Sequence, residues 1–158
     1  WLEHLVGDLH QPLHGSALFA THLFPKGDKG GNSIGVVGHK NLHSFWDATL
    51  GKTGSSVQSL SSKATGMLQD PELQQAGQKA KKSLSPKTWR KESTRVATED
   101  VYTEAILNAV AEGDDAGNLA DVTLAKTYIQ KAESVAKKRA VEAGFRLAAL
   151  CENYLGGQ

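Results

Sequence analysis

A single cysteine, Cys151, leaves no partner for an intrachain disulfide and no cysteine-based metal site. Charge of one sign is missing as well. Lys and Arg number 18 against 17 Asp and Glu, so the net charge of +1 gives no broad basic surface for duplex nucleic acid or an anionic bilayer. No apolar run approaches the roughly 20 residues of a membrane-spanning helix, and no secretory signal opens the chain. Internal repeats and low-complexity tracts are also absent. The 158 residues suffice for one domain with a real core. An initiating Met is lacking, and residue 1 falls inside a helical pattern. The sequence therefore reads as a fragment whose upstream part is missing.

What the chain does have is concentrated near its start, in Trp1-Leu-Glu-His4-Leu-Val-Gly-Asp8-Leu-His10-Gln-Pro12-Leu-His14. Leu2, Leu5, Val6 and Leu9 form an apolar stripe that predicts a helix over residues 1–10. His4 and Asp8, four apart, leave the same face of it about one turn from each other. Pro12 cannot continue a helix, having no N–H and clashing with the preceding turn. The helix should loosen near Leu9 to Gln11, letting His14 swing back toward His4 and Asp8. A second pair, His43 and Asp47 in Asn41-Leu-His43-Ser-Phe-Trp46-Asp47, repeats the spacing. Imidazole and carboxylate together form a zinc-type ligand set. One such pair reads equally well as a local charge pair; two of them, with an extra His beyond a proline, point to a metal site.

Between the two pairs lies a loop over residues 15–29, with Phe19 and Phe24 as packing anchors and no role assigned to His22. Gly30-Gly31-Asn32 follows. Paired glycines permit positive φ and a close approach of ligand to backbone, and Asn32 offers a donor and an acceptor that suit a base edge. A plain turn into the β-like segment 33–38 is the competing reading. Helices are predicted over 41–50, 57–68 and 71–82, the last capped by Asp70. Ser85-Pro86 opens another that runs to about 110, and the final one covers about 121–154. Residues 51–56 form a Gly- and Ser-rich break, and 113–117 a loop. The Lys- and Arg-rich stretch 79–91 reads as a solvated face, while Gly144 and its neighbouring alanines predict close helix–helix contact. The expected fold is all-α, a multi-helix bundle with one short β-hairpin-like excursion.

These residues carry a resemblance. His4-x3-Asp8-x-His10-Gln-Pro12-Leu-His14, then Asp28-Lys-Gly-Gly-Asn32, then Asn41-Leu-His43-x2-Trp46-Asp47 resembles the nuclease S-one/P-one family of zinc-dependent single-strand nucleases. Trp89-x2-Glu92-Ser93, Val101-Tyr102 and Ala143-Gly144-x-Arg146-Leu-Ala148 are similar to that family's later helices. The likeness covers nearly the whole chain, and the loop Phe24-Pro25-Lys26-Gly27-Asp28 is similar to bacterial members.

The resemblance implies a centre of three zinc ions in an all-helical fold. His4 would bind one ion of a close pair, and Asp8, the catalytic carboxylate, would bridge both. His14, His43 and Asp47 would hold the third ion, with His10 hydrogen-bonded behind the ligands. The pair's remaining ligands would lie upstream, which makes residues 1–158 the C-terminal portion of one nuclease domain and the isolated chain weak or inactive. Gly30, Gly31 and Asn32 would form the base slot. The implied reaction is hydrolysis of phosphodiesters in single-stranded DNA or RNA by metal-activated hydroxide. It would give 5′-phosphonucleotides, with 3′-nucleotidase activity alongside, in a secreted or periplasmic monomer. The alternatives are a zinc phospholipase C of the same fold, a non-catalytic helical domain keeping one structural zinc, and a bundle with no metal.

Overall fold

Local chemistry sets most of the helix ends in this computed structural model, which describes residues 1–51 and 54–155. Helix α1 spans Leu2–His10 and stops because Gln11, the residue before Pro12, takes extended backbone (φ −77°, ψ 121°). A single 3₁₀ turn, Pro12–Gly15, then reverses the chain. After an irregular stretch over 16–41, α2 covers Leu42–Ala48, opened by a reciprocal capping box between Asn41 and Ser44. Helix α3 is Val57–Leu68 and α4 is Pro71–Ala80, with Asp70 Oδ1 accepting from the backbone of Glu72 and Leu73. Helix α5 is Pro86–Val96; Ser85 stands at its cap position, but its side chain makes no capping bond. Helix α6, Glu104–Ala116, ends on Gly117 in the left-handed region at φ 68°. Helix α7, Lys126–Leu155, is the spine, about 45 Å long at 1.5 Å per residue.

Helices α4 and α1 pack along α7, and α5 lies against α1 and the 3₁₀ turn. The apolar core, with Leu13, Ile34, Leu42, Trp46 and Val101 among its members, collects beneath the irregular stretch 16–41. That stretch is therefore fastened to a solid floor. No helix among the described residues is long and apolar enough to cross a membrane.

Four expectations need correction. The helix predicted from 86 to about 110 is two helices: the chain makes a π turn at Ala97–Val101, and Tyr102 then leaves helical backbone (φ −84°, ψ 63°). Val101 and Tyr102 are both buried where the helix is interrupted. The last helix starts at Lys126 rather than 121, because Val122 is engaged elsewhere: its N–H donates to Gly35 O at 2.8 Å and its carbonyl accepts from Val37 N at 3.0 Å. The hairpin-like excursion reduces to isolated bridges of Val36 with His39 and Val122, with no strand among the described residues. The close interhelical glycine is Gly77 of α4, where an added Cβ would fall 2.3 Å from the Phe145 ring of α7; Gly144 has open space around it. Smaller differences follow the same logic. Residues 113–116 extend α6, and Phe24 is buried while Phe19 is exposed. Part of the 51–56 break, residues 52–53, lies outside the described residues.

Candidate metal centre

The reversal at Pro12 brings His14 back beside α1, and α2 delivers His43 and Asp47 from the other side. The five side chains form one continuous string. His4 Nε2 lies 3.2 Å from Asp8 Oδ2, Asp8 Oδ1 3.3 Å from His14 Nδ1, and His14 Nε2 3.6 Å from Asp47 Oδ1. Asp47 Oδ2 then lies 3.4 Å from His43 Nε2. His14 and His43 stack nearly parallel, with ring centroids 5.0 Å apart. One ligand atom from each of His14, His43 and Asp47 falls within 4.8 Å of the other two. Donors on a tetrahedral zinc, each about 2.0–2.1 Å from the ion, sit about 3.4 Å from one another. The two imidazoles approach different oxygens of Asp47; the fit to zinc rests on the donor chemistry, two imidazoles and a carboxylate with a fourth position left open.

The candidate ligands are held from behind. His43 Nδ1 is 2.7 Å from Gly30 O; a carbonyl can only accept, so Nδ1 carries the proton and Nε2 keeps its lone pair for a metal. Gln11 donates from Nε2 to Asp47 Oδ1 at 2.8 Å, while its Oε1 accepts from Leu13 N. It thereby couples the 3₁₀ turn to a ligand carboxylate. Beneath Gly30 sits Asp28, fully buried. Its Oδ1 accepts from Leu18 N at 2.9 Å and Gly30 N at 3.0 Å, and its Oδ2 from Gly31 N at 2.9 Å and the Tyr102 hydroxyl at 2.8 Å. Burial, together with that carboxylate, pushes the Tyr102 phenol well above its ordinary range, so it remains a donor. The π turn thus has a local purpose: it aims Tyr102 at the residue that shapes the Gly30 loop.

His10 faces the opposite way. Arg146 Nη1 lies 2.7 Å from its Nε2; guanidinium has no acceptor, so Nε2 accepts and Nδ1–H donates to Val6 O at 2.7 Å. Burial, reinforced by the charges of Arg139 and Arg146, pulls the His10 pKa down to about 4. The imidazole is neutral and enclosed. Around it, Arg139 Nε donates to His10 O at 3.2 Å and Ser93 Oγ donates to Leu9 O at 2.6 Å. Glu92 closes the network with two bonds from Arg146 (2.7 and 2.8 Å) and one from Arg139 (3.1 Å). Burial opposes ionisation of Glu92, but the two arginines outweigh it and hold its carboxyl below the usual range. Two helices far along the chain therefore cap the end of α1 that carries Asp8.

Asp8, His14, Gly30 and His43 line one open cavity of about 500 Å³, together with Ser16 and Lys29. Gly30 and Gly31 are themselves buried: a Cβ on Gly30 would fall 2.4 Å from Leu13 O, and one on Gly31 3.2 Å from His43 N. Both have positive φ, 62° and 81°. Their lack of side chains lets the loop press against the ligand-bearing turn and α2. Asn32 is exposed, its Nδ2 donating to Lys29 O at 2.9 Å and its Oδ1 accepting from Asn41. Gln11, Asp28 and Arg139 support the site without a pattern in the sequence that singles them out. The arginines at 139 and 146 left one signal, a seven-residue spacing that puts two cations on one face of α7 beside Ala132 and Ala143. Charges on such a face need buried partners.

A family model described as S1/P1 Nuclease matches residues 1–156. Endonuclease 2 of Arabidopsis thaliana is 28% identical over 165 residues, covering 99% of this chain and 51% of the relative. Endonuclease 4 of the same plant is 28% identical over 153 residues, covering 94% and 47%. The chain thus spans about half the length of the curated relatives it matches. No solved structure matches it.

Proposed function

The chain belongs to the S1/P1 nuclease family, and from that membership we propose that it binds zinc and serves the hydrolysis of phosphodiester bonds in single-stranded DNA or RNA. The observation that carries this reading is the meeting of His14, His43 and Asp47 within 4.8 Å, with Asp8 and His4 continuing the same string. His14, His43 and Asp47 would hold the zinc, which when bound would supply Lewis acidity toward phosphoryl oxygens and acidify a water near neutral pH. The chain's own residues supply position. Gly30 O fixes the His43 tautomer, Gln11 orients Asp47, and Asp8 spans the space between His4 and His14. His10 serves as no base, because both ring nitrogens are committed and its pKa is near 4.

The Gly30-Gly31-Asn32 turn is the candidate slot for an unstacked base, and the exposed Asn32 amide keeps one N–H and one lone pair beyond its internal bonds. An unstacked base is available in single strands and not in a duplex. The near-zero net charge agrees with this, since no long basic track is needed to hold two strands. The products would be 5′-phosphonucleotides, with 3′-nucleotidase activity alongside, made outside the cytoplasm by a monomer.

The test is a titration of the zinc-loaded chain with labelled single-stranded and duplex oligonucleotides, followed by product analysis. We expect zinc-dependent, strand-selective binding, lost with His43→Ala and with chelator, and little or no cleavage by residues 1–158 alone. Binding that ignores zinc, or that prefers duplex, would remove the basis of the reading.

A further inference from the structure

Lys29 is a non-glycine residue in left-handed backbone, at φ 58°. An L side chain is disfavoured there, and such strain persists only where the surroundings over-determine it. They do so on both sides. Asp28 accepts from Gly30 N and Gly31 N, and Asn32 Nδ2 donates to Lys29 O. Glycine occupies this region of backbone freely, as Gly30 and Gly31 do in the next two positions. At position 29 the sequence nevertheless carries lysine.

The place it occupies gives that choice a reason. Lys29 is exposed on the wall of the cavity that also holds Asp8, His14 and His43, and it is the only Lys or Arg lining it among the described residues. Its ammonium pairs with no described carboxylate, unlike Lys131 or Lys137. An unpaired cation carried on the cavity wall beside the candidate metal ligands matches the chemistry of a phosphodiester chain, whose next phosphate lies one nucleotide from the reacting one.

We propose that Lys29 binds a phosphate of the nucleic acid strand adjacent to the one held at the His14–His43–Asp47 centre. This rests on the nuclease reading above and adds a residue to it. The strain at Lys29 and the contact it makes predict effects of opposite sign when it is replaced.

The experiment follows binding of a labelled single-stranded hexanucleotide to the zinc-loaded chain across a KCl series, with a thermal melt of each variant. Lys29→Gly should weaken binding about tenfold, the worth of one charge-assisted contact. It should also lower the slope of log affinity against log salt by about 0.7, one phosphate contact on a single strand. Its melting temperature should rise, because the strain is relieved. Lys29→Arg should keep both affinity and slope. Wild-type affinity and slope in Lys29→Gly would overturn the assignment while leaving the nuclease reading intact, since the wild type would still bind the strand. Failure of the wild type itself to bind would overturn that reading and this proposal with it.

Discussion

At the scale of single residues, Asp28 carries the most. Four donors converge on one buried carboxylate, three of them from the loop whose Gly30 carbonyl orients His43. Asp28→Asn replaces one acceptor oxygen by an NH₂ that faces donors, and we expect a loss of about 3 kcal/mol in urea unfolding. Zinc affinity measured calorimetrically should fall in the same variant, although Asp28 touches none of the ligand atoms. Retained affinity would mean that the loop holds its shape without it. Asp28 was visible in the sequence only as a letter in a motif, because nothing in a linear pattern says that an aspartate will be fully enclosed. The meeting of the five candidate side chains was legible for the opposite reason: spacing of four on a helix, and a proline that turns the chain back, are local geometry.

At the scale of elements, the arrangement depends on how closely helices approach and on what caps them. Gly77 is where α4 meets the Phe145 ring of α7. Gly77→Ala should cost about 1–3 kcal/mol by overpacking, read as a lower denaturation midpoint, even though alanine favours helix. The cap on α1 makes a pH-dependent statement. Glu92 has its pKa lowered from 4.5 in the folded chain, so it adds stability that is present above 4.5 and lost as the pH falls through its lower folded value. Chemical denaturation should therefore find Glu92→Gln less stable than wild type at pH 7, with the two curves converging in acid. Element boundaries were the part least readable beforehand. The π turn at 97–101 and the late start of α7 are set by Tyr102 reaching Asp28 and Val122 reaching Gly35, contacts 74 and 87 residues apart in sequence. A helical period carries no trace of such distant demands.

At the scale of the whole molecule, the centre joins the early third of the chain to the rest. The candidate ligands all come from residues 4 to 47, yet their supports lie on α5, at Tyr102 after the π turn, and on α7. Zinc should then stabilise the chain as a unit. At a free concentration one hundred times the dissociation constant the gain is about 2.7 kcal/mol, or a rise of about 5–10 °C in melting temperature for a chain of this size. Scanning calorimetry with and without chelator checks it, and an unchanged transition would place the donors too far from a common ion. The all-helical architecture was readable because amphipathic periods, caps and prolines agree along most of the chain.

Helix α3 stands apart from that unity. It buries none of its residues, and Val57 and Leu60 face solvent. Little burial opposes its unwinding, so its amides should exchange their hydrogens faster than those of α7. Hydrogen exchange should then report α3 as the weaker part of the fold and leave the elements that carry the candidate ligands protected.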